Sequence, residues 1–381
     1  MKASAPFSTS QPLSCRTHGG RPSSMSMSAG ARTATSVGTS SKRPWFGDLL
    51  GRLSSTMDGA SRALKDAPQR FLDALVDATF RFTDQALNSA ESNFAPVDET
   101  GEAIEIHQSQ IQGAIPDGFP EGVYIRNGDG FSHFPLLALS VSMSERERES
   151  ERPVNIVLGS NPLFGALHST SSVLGQSREI WVEGEGMLHA VYFTKSSAGH
   201  LWSVSYASRY VQSETLELET ARHKPCFLPA VEGDSAAIVA AYVFNYLRFG
   251  KVSKDISNTN VFEHSGRVFA VAENSLPYEI CVGSLDTRDA WDVGGEWDRP
   301  FTAHPKVAPG SGELVIFGTD AKKPFLVVGV VSADGTKLKH RADLKLDRCT
   351  LCHDIGVTPK HNVIMDIPLT MDVGRIVKGG Q

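Results

Sequence analysis

From Asn93 onward the sequence breaks into short apolar or alternating runs, each closed by a turn signal, and this pattern limits the fold more than any other feature. Examples are Gly122–Arg126, Met187–Phe193, Leu201–Tyr206, Arg267–Ala272, Glu313–Phe317 and Phe325–Val331, with reversals at Pro309-Gly310-Ser311-Gly312 and Ala333-Asp334-Gly335. β-branched and aromatic residues suit a pleated, half-buried surface, and Gly, Pro and Asp suit the bends between strands. The 34 Gly and 20 Pro in 381 residues fit that turn-rich reading better than a helical bundle. Many short strands without amphipathic helices between them predict an all-β sandwich, barrel or propeller, and patterning alone does not choose among the three.

The N-terminal part is different. Residues 1–45 are rich in Ser and Thr, carry Lys2, Arg16, Arg21, Arg32, Lys42 and Arg43, and contain no acidic residue before Asp48. That composition predicts a disordered organelle transit peptide, the alternative being a plain disordered tail. An amphipathic helical region is expected over residues 57–90, with its helix from about Asp66 to Asn88. Pro68 falls in the first turn, and Phe71, Leu72, Leu75, Val76, Phe80, Ala86 and Leu87 recur at helical spacing between Asp73, Asp77 and Asp84. Such a helix can pack on its own domain or dip into a membrane; its acidic polar face favours the first. No apolar run reaches the roughly 18 residues of a spanning helix. A net charge of −6 without a clustered basic face excludes a nucleic-acid footprint. Five scattered cysteines do not form a secreted disulfide framework and suit a reducing compartment.

Two of the twelve histidines stand in distinctive settings. His304 lies in Phe301-Thr-Ala-His-Pro-Lys306 before a turn and strand, and His353 lies in Cys352-His353-Asp354-Ile355. Neutral imidazoles at irregular strand ends can converge on a metal, although a lone histidine is more often structural. Cys349-Thr-Leu-Cys-His353 also spells the C-x-x-C-H attachment motif of c-type haem. Against haem stand the β-rich context and the want of a secretory signal; against zinc stands the lack of a second ligand pair nearby. The reading preferred here is two buried cysteines preceding a functional histidine. No nucleophile elbow, Walker loop or dinucleotide fingerprint occurs in a fitting context.

Several segments together resemble the plant carotenoid cleavage dioxygenases. They are Asn93-Phe-Ala-Pro-Val97, Gly122-Val-Tyr-Ile-Arg-Asn-Gly128, Glu183-Gly-Glu-Gly-Met-Leu-His189, Ser208-Arg-Tyr-Val211, Asn258-Thr-Asn-Val261, Ala272-Glu-Asn-Ser-Leu-Pro-Tyr278, Phe301–Lys306 and His353-Asp354. Asn161-Pro-Leu-Phe-Gly-Ala-Leu167 and Ile180-Trp-Val-Glu-Gly184 further resemble the branch that includes zaxinone synthase. The resemblance implies a seven-bladed β-propeller over residues 91–381, incomplete here and preceded by the helical extension. It implies Fe(2+) held by four histidines on the axis, with His304 and His353 as the first two ligands. Glu273 matches a carboxylate that orients a ligand imidazole from behind, while His189 matches a motif position that is not a ligand. The implied substrates are a carotenoid or apocarotenoid and dioxygen, the product two carbonyl compounds, and the location a plastid. A lipid-soluble substrate also makes peripheral membrane association through the N-terminal helix plausible.

Two departures from that pattern are expected to matter. The third and fourth ligand histidines of such enzymes fall beyond Gln381, so the alternative function is a truncated, non-catalytic fragment that does not hold iron. Residues 129–160, including the charge run Ser144–Pro153, separate Arg126-Asn-Gly128 from Asn161-Pro162 and read as an insertion or gene-model error, the alternative being a long surface loop.

Overall fold

The structure is a computed structural model that describes residues 69–85, 98–129, 167–196 and 201–371. The leader 1–45 and nearly all of the 129–160 segment lie outside the described residues. The chain runs through helix α1 (Gln69–Thr79) and strands β1 (Arg81–Asp84), β2 (Ile104–Ile106), β3 (Gly122–Asp129), β4 (His168–Ser172), β5 (Gly175–Arg178), β6 (Gly186–Lys195) and β7 (Trp202–Tyr210). Helix α2 (Glu214–Arg222), strand β8 (Glu232–Gly233) and helix α3 (Ser235–Phe249) follow. The remainder is strand: β9 (Asn260–His264), β10 (Arg267–Val271), β11 (Tyr278–Ile280), β12 (Thr287–Ala290), β13 (Lys306–Val307), β14 (Leu314–Thr319), β15 (Leu326–Val331), β16 (Leu338–Asp343), β17 (Cys349–Thr350), β18 (Ile355–Val357), β19 (Asn362–Ile364) and β20 (Thr370–Met371).

Four antiparallel four-stranded sheets result: β2-β7-β6-β3, β1-β4-β5-β8, β9 to β12 in order, and β13 to β16 in order. The pairs β17-β20 and β18-β19 continue the series. Edge strand β3 lies against β9, and β13 against β18, so these neighbouring sheets meet edge strand to edge strand as propeller blades do. The all-β propeller expectation therefore holds.

The blades stack face to face, and alternation along each strand decides what each face buries. Phe269 and Val271 of β10 face Leu314, Ile316, Val327 and Val331 of the next blade, across Trp291, Trp297 and Phe301. Ala270, between them, turns the other way to meet Leu188, Ala190 and Ile280. Val315, Phe317, Leu326 and Val328 turn toward Cys352 and Ile355. A strand buried on both faces needs apolar residues at every position, which explains the unbroken Leu-Val-Ile-Phe of β14.

Two expectations need correction. The described helix stops at Thr79, and Arg81–Asp84 is a strand paired with β4 rather than a continuation of the helix. Leu72, Val76 and Phe80 are buried, the last two in a cluster with Leu228 and Ala241 near α3, while Phe71 and Leu75 stay exposed. Helices also occur between the strands, contrary to the sequence pattern. Helix α2 starts at Ser213, whose Oγ accepts from Leu216 N at 3.2 Å, and carries Glu214 and Glu217 in its first turn, where the helix dipole favours them. Helix α3 ends at Gly250, whose left-handed φ of 72° lets its N–H reach Tyr246 O. Asp73 joins the three helices by accepting from Arg222 and Arg248. Partial burial pushes that carboxyl up, but the two guanidiniums outweigh it and hold it below the usual range.

Candidate metal centre

His304 ends the loop that crosses from the third blade to β13. Ala303 and Thr302 are fully buried there, the Thr302 Oγ1 accepts from His304 N at 3.1 Å, and Phe301 N donates to Ser275 O at 3.0 Å. Side-chain amides reach from β3 to β9 and from β9 to this loop. Asn127 on β3 donates to Ser257 O (2.6 Å) and Asn260 O (3.2 Å), and Asn260 on β9 donates to Ala303 O (2.8 Å). Asn127 and Asn260 both lie in segments that carry the family resemblance, and an amide on an edge strand is the signal that marks them as supports.

The loop brings His304 Nε2 to 3.1 Å from His353 Nε2, with the rings nearly perpendicular. On the far side of the second ring, Glu273 Oε1 lies 2.5 Å from His353 Nδ1. Glu273, His304 and His353 are the one cluster of metal-capable side chains found among the described residues. All three residues singled out from the sequence thus come together. Glu273 Oε1 is buried and, apart from this contact, has no hydrogen-bond partner. Burial, then the neighbouring His353, pushes the His304 imidazole below its ordinary pKa, so it favours the neutral form that ligates.

This donor set fits a divalent transition metal. Two nitrogens bound at right angles to one ion at about 2.1 Å would stand about 3 Å apart. A carboxylate behind one imidazole fixes the tautomer that leaves Nε2 free. Imidazole is a ligand type that suits iron. The side chain of His353 is 63% exposed, so the centre is open on that flank.

The other candidates fall elsewhere. His189 Nδ1 bonds Tyr206 Oη at 2.7 Å within its own sheet, and burial lowers its pKa. Cys349 and Cys352 are buried, with Cys352 packed among Val315, Phe317 and Leu326. Thiols so placed do not present themselves for haem attachment, while His353 turns the other way toward His304.

A blade-built all-β frame with paired histidines at first-strand entrances defines the class. Residues 154–381 match the family described as "Retinal pigment epithelial membrane protein" (RPE65), and the chain belongs to that family, the carotenoid oxygenases. The chain is 29% identical over 212 residues to the carotenoid 9,10(9',10')-cleavage dioxygenase of Crocus sativus, covering 53% of this chain and 37% of that protein. It is 26% identical over 333 residues to the chloroplastic 9-cis-epoxycarotenoid dioxygenase NCED1 of Oryza sativa subsp. japonica, covering 82% and 45%. Among solved structures, the lignostilbene dioxygenase of Pseudomonas brassicacearum shares the fold at a TM-score of 0.52 and 23% identity, covering 75% of this chain and 48% of that one. The apocarotenoid oxygenase of Synechocystis does so at 0.51 and 18%, covering 76% and 51%. The chain thus spans less than half the length of these two curated relatives.

Proposed function

We propose that the protein cleaves one conjugated double bond of a carotenoid or apocarotenoid with dioxygen, each oxygen atom ending in one of two carbonyl products. The facing pair of imidazoles with a carboxylate behind one of them carries this reading. His304 and His353 would hold Fe(2+) through their Nε2 atoms, with Glu273 keeping the His353 proton on Nδ1. When bound, the iron supplies a place for dioxygen to react beside the polyene. The protein's share is to keep both imidazoles oriented and fixed in spacing. A polyene has almost no polar handle, so choice of bond falls to the shape of an apolar channel.

A plastid location is supported by the chloroplastic relative and by the Ser-rich basic leader. Exposed Phe71 and Leu75 on α1 support contact with a membrane surface from which such a substrate could be drawn. The test is iron stoichiometry of the purified chain after anaerobic Fe(2+) loading and desalting, followed by a search for aldehydes from a polyene. Retained iron near one per chain, lost in H304A and H353A, supports the reading. Essentially no retained iron favours the non-catalytic alternative for this chain.

A further inference from the structure

We propose that Lys306 and Asp354 form a clasp that sets the approach of His304 to His353, making both positioning residues for the metal. This rests on the reading of the two histidines as ligands. Lys306 Nζ lies 2.9 Å from Asp354 Oδ1. Lys306 follows His304 by two residues and Asp354 directly follows His353, so the ion pair joins the two ligand-bearing segments beside the ligands themselves.

The two segments are anchored separately, on different blades. The His304 loop is buried at Thr302 and Ala303 and tied by Asn260. His353 is itself mostly exposed, between buried Cys352 and Ile355, and β18 after it pairs with β19 over three residues. Asp354 acts on that segment at its backbone: its Oδ1 also accepts from Ile355 N at 2.7 Å. One carboxylate oxygen therefore caps the start of β18 and receives the lysine from β13. An ion pair this exposed adds little to global stability. Its value lies in geometry, since imidazoles must be held to a fraction of an ångström to share an ion.

Charge alone would place no lysine here. A cation two residues from a ligand repels a divalent ion, so a Lys306 that acted only through its charge would weaken metal binding and its removal would strengthen it. A clasp has the opposite sign: its removal weakens binding.

The experiment is a Co(II) titration of the purified full chain under anaerobic conditions, followed by the Co(II) absorption, for wild type, K306R, K306M, D354N and the K306M/D354N double variant. Asparagine keeps the oxygen that caps Ile355 N and removes the charge. The clasp predicts about tenfold weaker Co(II) binding in K306M and in D354N, the lower end of what outer partners contribute. It predicts wild-type binding in K306R, and a double variant within about twofold of the weaker single, because the pair acts as one unit. Tighter binding by K306M, or losses that add in the double variant, overturns the proposal. A second readout uses the metal-free chain: the nuclear Overhauser contact between the His304 and His353 rings should be present in wild type and lost in K306M. If wild type takes up no Co(II), the ligand reading fails, and the clasp then stands or falls on that ring contact alone.

Discussion

At the scale of the residue, the site depends on small numbers of atoms whose roles separate under substitution. H304A and H353A should each abolish metal retention. E273Q keeps an oxygen near Nδ1 but loses the charge, and should weaken Fe(2+) or Co(II) binding by about tenfold rather than abolish it; a competitive chelator titration measures the difference. Away from the site, Glu185 is completely buried, and neither of its carboxylate oxygens is hydrogen-bonded. Lys254 lies 3.5 Å away but is closer to Glu179, at 2.9 Å. Burial pushes Glu185 from 4.5 up to about 8, so it folds protonated. A carboxyl raised in this way stabilises fully below its unfolded value near 4.5, and that contribution is lost as pH rises toward 8. Glu183, pushed up to about 7 by burial, slopes the same way. Urea unfolding should therefore show wild type and E185Q alike near pH 5, with E185Q ahead by about 1–3 kcal/mol near pH 8.5. Equal stabilities at both pH values would mean that Glu185 folds ionised. Neither Glu185 nor the two histidines declare these states in the sequence. His304 and His353 were legible through the family resemblance, because a lone histidine beside a turn carries no signal of its facing partner on another blade.

At the scale of the element, strands proved readable and helices did not. Strands β14 and β15 were expected at Glu313–Phe317 and Phe325–Val331 and lie at Leu314–Thr319 and Leu326–Val331. Burial on both faces demands continuous apolar runs, and turn residues mark their ends. Helix α3 reads Ser-Ala-Ala-Ile-Val-Ala-Ala-Tyr-Val-Phe, too uniformly apolar for a clear helical period, so only its Asp234 and Gly250 boundaries signalled it. Helix α2 is marked in the sequence only by its Ser213 cap and early glutamates. Close approach between elements also escapes patterning. A Cβ at Gly318 on β14 would stand 2.3 Å from Pro300 O and 3.1 Å from the Trp297 ring. Pro300 belongs to the loop that carries His304, and its carbonyl accepts from Trp297 Nε1 at 3.3 Å. Gly318→Ala must push that loop outward. It should cost about 1–3 kcal/mol in denaturant unfolding, as overpacking does, and lower metal affinity as well. A variant that melts early but binds Co(II) normally would show that the loop absorbs the displacement before reaching His304.

At the scale of the whole molecule, the metal would join parts that are otherwise connected by packing, a few side-chain amides and the Lys306–Asp354 pair. His304 enters at β13 of one blade, His353 at β18 of the next, and Glu273 follows β10 of the blade before them. An ion held by the first two, with the third behind, would tie three successive blades together. Apolar contacts between blades are non-directional and tolerate small slides, whereas ligand bonds do not. Metal should therefore act on the unfolding of these blades together rather than on one loop. At a free concentration one hundred times its dissociation constant, a ligand that binds only the folded state adds about 2.7 kcal/mol. Calorimetry of the chain with Co(II) should show a higher, sharper transition than after exhaustive chelation. H353A should melt at the chelated temperature under both conditions. If metal sharpens and raises the transition in wild type alone, the ion is part of how the blades hold together. If wild type and H353A respond alike, the metal binds elsewhere, and the facing imidazoles are a packing contact rather than a centre.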